Sequence, residues 1–596
     1  MSIYLLRANK MHTLIHFKLL LIYMLPVKKR FKIYTLLLLN IIALPALAQK
    51  ESYIQLLSRQ NQWVDSVFKK LSRKEKIAQL FFVRAHTNKG KRYEDSVANV
   101  IKKQHIGGLV FFQGGPGRQV NLTNQYQKAS RVPLLIAMDG EWGVGMRLDS
   151  TISYPYQMTL GAIQDNNLVY KMGQQVAYDF KRLGMHMNFG PVMDVNNNPN
   201  NPVINYRSFG DNKYNVAQKG IAYMKGMQDG GLLTTAKHFP GHGDTNVDSH
   251  FDLPVLPFTR TRLDSLEIYP FKEAINAGIS GIMMAHMNIP SLDNTNIPST
   301  LSRKIITGIL KDSLAFKGLV VSDAMEMRAV TKYYPPGEAE VKAFLAGNDI
   351  IELSENSETA ILKIKKAIHK GQISMDEFKS RVKKVLAAKY WAGLDSYKDA
   401  QTQGIVADLN RGPAKELVQQ LSDAAVTVLK GSESSFRLNP LQRTAIISIG
   451  VNTFTVFERE LNKWYTNSKM FTIDKNTSPT YLNQVLEMLK EYDQVFISIN
   501  DTRTRPQSNL DYSNAVKSFI SSLAARKNSV ISIFANPYTL AGLPGIENSG
   551  ALMVGYQMSD EMQRSAVKVI TGRLKPTGKL PVSINTFFTT GTGLAL

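Results

Sequence analysis

Between Ile77 and Leu353 the chain alternates short apolar runs with amphipathic stretches. The runs cover residues 77–83, 106–112, 134–139, 186–194, 232–238, 279–286, 318–323 and 349–354. Between them lie segments with helical spacing, among them 168–183, 216–228, 263–277, 305–314 and 337–346. Short apolar runs punctuated by Gly and polar residues read as buried strands, and the longer periodic segments as helices packed on them. Eight such units predict a (β/α)8 TIM barrel over residues 50–395. An open doubly wound sheet is the alternative, but eight units in roughly 300 residues favour closure.

A helix is expected over 375–391, then a polar linker over 396–413. A second alternation follows, with apolar runs at 424–429, 444–449, 494–499, 530–535, 551–555 and 580–584. Helical stretches at 456–464, 481–492 and 560–571 separate them. The pattern predicts a C-terminal α/β sandwich domain over 414–596. The segment Asn500-Asp501-Thr502-Arg503 reads as a surface turn of that domain.

Composition changes the picture at the N-terminus. Residues 1–48 hold no Asp or Glu, and a basic cluster at 28–32 precedes an apolar stretch and Ala46-Leu47-Ala48. These are the parts of a signal peptide, with cleavage expected after Ala48; an uncleaved anchor helix is the alternative. The protein is then expected to be exported, periplasmic or secreted, with no integral membrane segment once the leader is removed. No cysteine is present among the 596 residues, which excludes disulfides, thiol catalysis and thiolate-bound metal. The net charge of +24 falls to +17 without the seven basic leader residues. That surface suits anionic surroundings such as cell-wall polymers. A nucleic-acid partner is not expected, since no basic cluster is interleaved with aromatics. Oligomeric state is not readable from this pattern.

Ionisable residues mark where the barrel runs end: Asp139, Asp194, Lys237 with His238, His286, Asp323, and Glu352 near Ser354. In a barrel the C-terminal strand ends share one face, and that face carries the active site. The fifth run leads into Lys237-His238-Phe239-Pro240-Gly241-His242-Gly243-Asp244-Thr245-Asn246-Val247-Asp248-Ser249-His250. Asp323 ends a rigid strand, so its carboxylate can serve as nucleophile, base or stabiliser. Asp248 beside His250 favours the imidazolium and makes a proton shuttle. One fixed carboxylate and one acid/base suit acetal hydrolysis with retention.

The motif Lys237-His238-Phe239-Pro240-Gly241-His242-Gly243…Asp248-Ser249-His250 resembles the signature of family 3 glycoside hydrolases, in the β-N-acetylglucosaminidase branch. Ala137-Met138-Asp139-Gly140-Glu141, Arg207-Ser208-Phe209-Gly210 and Val320-Val321-Ser322-Asp323-Ala324-Met325 carry the same resemblance. It implies Asp323 as nucleophile, His250 as acid/base and Asp248 as its partner. It implies Lys237, His238, the pair Asp139 and Arg147, and Arg207 as binders of sugar hydroxyls. The substrate implied is a carbohydrate with terminal β-linked GlcNAc, with no cofactor and no metal. The chain departs from the family where Trp142-Gly143-Val144-Gly145-Met146 precedes Arg147; Trp142 reads either as a sugar platform or as packing.

Three other readings remain at this level. His238, His242, Asp244, Asp248 and His250 offer metal-ligand chemistry. A non-catalytic sugar-binding relative would keep the fold without turnover. A β-glucosidase or β-xylosidase of the same family is the third, though such relatives generally take their acid/base from elsewhere.

Overall fold

The computed structural model describes residues 51–596; the expected leader lies outside the described residues. Eight parallel strands form the first sheet: β1 Phe81–Ala85, β2 Gly108–Phe111, β3 Leu135–Met138, β4 Met187–Asn188, β5 Leu233–Phe239, β6 Gly281–Met284, β7 Leu319–Ser322 and β8 Ile351–Glu352. Each neighbours the next, and β1 pairs with β8. Between β7 and β8 the barrel is closed by Ser322 N–H donating to Ile350 O (2.9 Å) and Ile350 N–H to Val320 O (3.0 Å). The strands are buried almost throughout, as expected where helices cover the outer face.

Local chemistry explains where boundaries differ from the apolar pattern. Ser72 and Glu75 form a reciprocal capping box that starts a helix over Arg73–Ala78, so Ile77 is helical and β1 begins only at Phe81. The run at 186–194 yields a two-residue β4, because Pro191 lacks an N–H for the ladder. The stretch at 263–277 is two helices, Arg260–Ser265 and Tyr269–Asn276. The first ends at Leu266, and Pro270 opens the second. Met375–Trp391 is a single helix capped by Ser374.

The second sheet has six strands in the order β11-β10-β12-β13-β14-β9. They are β9 Thr427–Lys430, β10 Thr444–Ile449, β11 Ser468–Ile473, β12 Gln494–Asn500, β13 Ser529–Phe534 and β14 Ala551–Val554. All ladders are parallel except that of β9 on β14. Strand β11 was not expected: at the sheet edge it buries only alternate residues, so no apolar run announces it. Residues 580–584 were expected as a strand and are not one. Pro581 interrupts the run; Leu580 exchanges backbone bonds with Gly591 and Thr592, and Pro581 O accepts from Asp211 N–H of the barrel (3.1 Å). Among the described residues, no helix is long and apolar enough to cross a membrane.

The two sheets share a hydrophobic cluster that runs from Tyr53 to Phe588. Polar side chains also cross between them. Gln557 Oε1 accepts from Tyr156 N–H (2.9 Å) and Thr159 Oγ1 (2.8 Å). Asn196 Nδ2 donates to Tyr538 OH (2.9 Å). The segment after Asn500 is more than a surface turn: Thr504 O accepts from Tyr156 OH (3.4 Å), and Ser508 Oγ accepts from Asn205 Nδ2 (2.8 Å).

Candidate active site

Asp139 follows β3 directly and Lys237 lies on β5, the two strands that flank β4, and their ends bring the two side chains together. Lys237 Nζ donates to Asp139 Oδ1 (2.6 Å) and pairs with Glu141 Oε1 (2.8 Å). Arg147 donates to Asp139 Oδ2 (2.7 Å). Arg207 grips Glu141 with two parallel bonds, Nε to Oε2 (2.9 Å) and Nη2 to Oε1 (2.6 Å). The Lys237 and Glu141 side chains are buried. A buried charge is costly unless paired and hydrogen-bonded, and here three cations share two carboxylates. Burial alone would raise the Glu141 carboxyl, but Arg207 and Lys237 outweigh it and hold it at about 2. Lys237 and Arg147 likewise hold Asp139 below the usual carboxylate range against its burial. Burial would lower Lys237, yet Asp139 and Glu141 lift it above its ordinary value. The cluster therefore keeps one net positive charge and a fan of N–H donors.

His238 is set by Asp194, which ends the fourth run. Nδ1 lies 2.8 Å from Asp194 Oδ2, and Asp194 also accepts from His238 N–H (3.2 Å) and His242 N–H (2.7 Å). With Nδ1–H donating, Nε2 faces the pocket, 3.5 Å from Arg207 Nη2. His242 is buried and braces the loop, with Nδ1 2.7 Å from Thr245 Oγ1 and Nε2 3.2 Å from Ser249 Oγ. Asp244 pairs with Arg262 (2.8 Å). Among the described residues no three His, Asp or Glu converge on a metal-holding arrangement.

Asp323 follows β7. Its N–H donates to Met284 O (3.0 Å), and its Oδ1 accepts from Ala324 N–H (2.8 Å). Burial pushes its carboxyl up; His286, His238, the Ala324 N–H and His250 pull it below the usual value. It is held as the anion. His286 is buried beside it, its Nε2 3.0 Å from Ala324 O and its Nδ1 2.9 Å from Thr300 Oγ1.

The Asp248–His250 pair stands on the β5–β6 loop. Asp248 Oδ1 takes both the His250 N–H (2.8 Å) and ring Nδ1 (2.7 Å). That hydrogen bond raises the imidazole above its ordinary pKa against partial burial, and the charge of Asp323 adds to it. The His250 side chain is 61% exposed, which leaves Nε2 accessible at the rim. The loop is tied to the β7 side: Ala329 N–H donates to Ser249 O (3.3 Å), and Lys332 Nζ and Tyr333 OH each donate to Asp252 (2.8 Å).

The structure brings Asp139, Arg147, Arg207, Lys237 and His238 into one network and sets Asp323 beside it. Asp248 and His250 stand on the rim above. Asp194 was marked from the sequence as a strand-end residue and Glu141 as part of the Ala137–Glu141 motif, but neither was given a role. Both bond to other side chains rather than face the opening. Trp142 packs edge-on to Tyr156 (4.9 Å between ring centres), and Tyr156 edge-on to Tyr206 (4.9 Å), in a cluster that reaches the sandwich.

Comparison with known proteins follows this geometry. Residues 72–388 match the model of the glycosyl hydrolase family 3 N-terminal domain. A β-hexosaminidase A from Pseudoalteromonas piscicida is 36% identical over 278 residues, 43% of this chain and 46% of that protein. A β-N-acetylglucosaminidase/β-glucosidase from Cellulomonas fimi is 25% identical over 377 residues, 62% of this chain and 66% of that protein. The match therefore spans about half to two thirds of these curated relatives. A solved family 3 β-N-acetylglucosaminidase from Paenibacillus sp. is 29% identical, with a TM-score of 0.72 over 86% of this chain and 99% of that one.

Proposed function

The chain belongs to glycosyl hydrolase family 3, and on that premise we propose that it is a retaining exo-β-N-acetylglucosaminidase. It would release terminal β-linked GlcNAc from oligosaccharides or cell-wall fragments. One arrangement carries the reading: the Asp323 carboxylate at the end of β7, its Oδ1 taking the Ala324 N–H, together with a histidine on the β5–β6 loop, His250, whose ring Nδ1 and backbone N–H are both held by Asp248.

The chemistry follows from those groups. A carboxylate held low carries no proton to donate and is available as a nucleophile. Asp323 attacks the anomeric carbon as protonated His250 gives its Nε2 proton to the departing glycosidic oxygen. The C–O bond breaks and a glycosyl ester forms on Asp323. The now neutral ring takes a proton from water, which attacks the same carbon and frees the carboxylate. Asp248 keeps the Nδ1 proton in place through both steps. Asp139, Arg147, Arg207, Lys237 and His238 hold ring hydroxyls, for which adjacent carboxylate and cation groups supply charge-assisted bonds. Export to the periplasm or medium and a part in peptidoglycan turnover belong to the same proposal. They are supported by the leader-like residues 1–48 and the excess of basic residues.

Trapping tests it. A 5-fluoro glycosyl fluoride of GlcNAc should leave one sugar ester on the peptide carrying Asp323, found by mass spectrometry, and Asp323→Ala should be inert. An ester elsewhere sinks the assignment. His250→Ala should slow substrates with poor leaving groups far more than activated aryl glycosides, since an easy leaving group needs little proton donation. Aryl β-glucoside and β-xyloside run in parallel decide between this reading and a glucosidase or xylosidase.

A further inference from the structure

One ionisable group at the barrel mouth has no part in the chemistry above. Glu352 ends β8, and its backbone is fixed on both sides: its N–H donates to Ser322 Oγ (2.9 Å), and its carbonyl accepts from Met325 N–H (2.9 Å). It is 3% exposed, and its Oε2 is buried with no hydrogen-bond partner. Charged groups act on it from four strands or strand ends: Asp139 after β3, Asp323 after β7, Lys237 on β5 and Arg84 on β1. Burial, with the Asp139 and Asp323 carboxylates, pushes its carboxyl well above the usual range; Lys237 and Arg84 oppose this without cancelling it.

A carboxyl that is protonated is a neutral acid with one O–H to give. The charged groups around it have partners of their own, although Arg84 Nε is buried without a hydrogen bond. Asp139 is filled by Lys237 and Arg147, Asp323 takes the Ala324 N–H, and Arg84 pairs with Glu326. Most buried polar atoms in folded proteins have partners, and an unpartnered one at the strand-end face that carries Asp139, Lys237 and Asp323 points to a partner that arrives with the ligand. A sugar ring presents hydroxyls there, each able to accept one bond and donate another.

We propose that Glu352 is a substrate-binding residue whose side chain hydrogen-bonds one hydroxyl of the terminal sugar. The proposal rests on the glycosidase reading of the same pocket. It makes Glu352 a determinant of which monosaccharide is accepted, since a ring lacking that hydroxyl leaves the acid unpaired.

Glu352→Gln keeps a donor of the same shape, and Glu352→Leu removes it. On an aryl β-GlcNAc substrate, Gln should hold KM within about threefold, while Leu raises it about tenfold or more with a smaller change in kcat. Against 3-, 4- and 6-deoxy analogues the Leu penalty should vanish for one and persist for the others. Thermal melting checks that the variants fold, and Glu352→Met repeats the comparison if leucine is not accommodated. Calorimetric titration with N-acetylglucosamine and glucose reads the same contrast without turnover. A protein that binds but never hydrolyses would therefore overturn the hydrolase reading and still decide the role of Glu352. Leu or Met with unaltered KM and sugar affinity, or Gln as damaging as Leu in folded protein, would overturn the proposal.

Discussion

Asp248 acts on its neighbour through charge as well as geometry. Its carboxylate takes both the ring and the backbone N–H of His250, and the ring gains a pKa above its ordinary value. For a group raised in this way, the protonated form is complete below the shifted pKa and is lost as pH rises through it. In the proposed mechanism glycosyl transfer to Asp323 needs that proton, so kcat/KM for a poor leaving group should be flat at moderately acid pH and fall on the alkaline side. Asp248→Asn retains an oxygen acceptor and removes the charge. The alkaline limb should then move to lower pH while the acid limb, set by Asp323, stays where it was. Rates across pH 4 to 9 check this, and a limb that does not move would separate Asp248 from the proton transfer.

At the scale of elements, the site depends on where strands stop and how loops turn. Gly243 sits where the β5–β6 loop crosses the fourth run; a Cβ there would lie 1.8 Å from Val195 O. No side chain rotates out of that clash, because the obstacle is backbone. Gly243→Ala should therefore displace the loop that carries Asp248 and His250. The expected loss is about tenfold or more in kcat/KM for a poor leaving group, with a smaller loss for activated aryl glycosides. Equal losses for both would mean that the whole pocket had moved. The same loop shows what the sequence made legible. Lys237 to His250 is contiguous, so its residue types and spacing could be read together. Glu141 and Asp194 lie far from it in sequence; a motif and a strand end marked their positions, but their role, holding Arg207 and His238, could not be read there. All eight barrel strands could be read because both faces are buried, whereas β11 at a half-exposed edge could not. Residues 580–584 mislead for the opposite reason: apolar side chains there pack without forming a ladder.

For the whole molecule, the question is whether the sandwich does more than accompany the barrel. Arg207 ends a short turn over Asn205–Arg207, in which Asn205 has a φ of 42°. Asn205 gives Nδ2 to Pro199 O (2.9 Å) and to Ser508 Oγ (2.8 Å), and its Oδ1 accepts from Asn536 Nδ2. Two of these three bonds reach residues of the second sheet's loops, so the conformation of the turn that aims Arg207 at Glu141 is held from the sandwich. Asn536→Ala removes one of them and leaves Asn205 Oδ1 buried without a donor, a loss of about 1–3 kcal/mol in stability. If the sandwich positions Arg207 for its proposed role in binding the sugar, this variant should raise KM about three- to tenfold with little change in kcat, since in that role Arg207 moves no proton. The dependence on leaving group should be unchanged, which distinguishes it from damage to His250. Because one hydrophobic cluster spans both sheets, calorimetry should show a single unfolding transition for the unaltered protein and for the variant. Two separated transitions, with KM untouched, would show the sandwich to be a passenger.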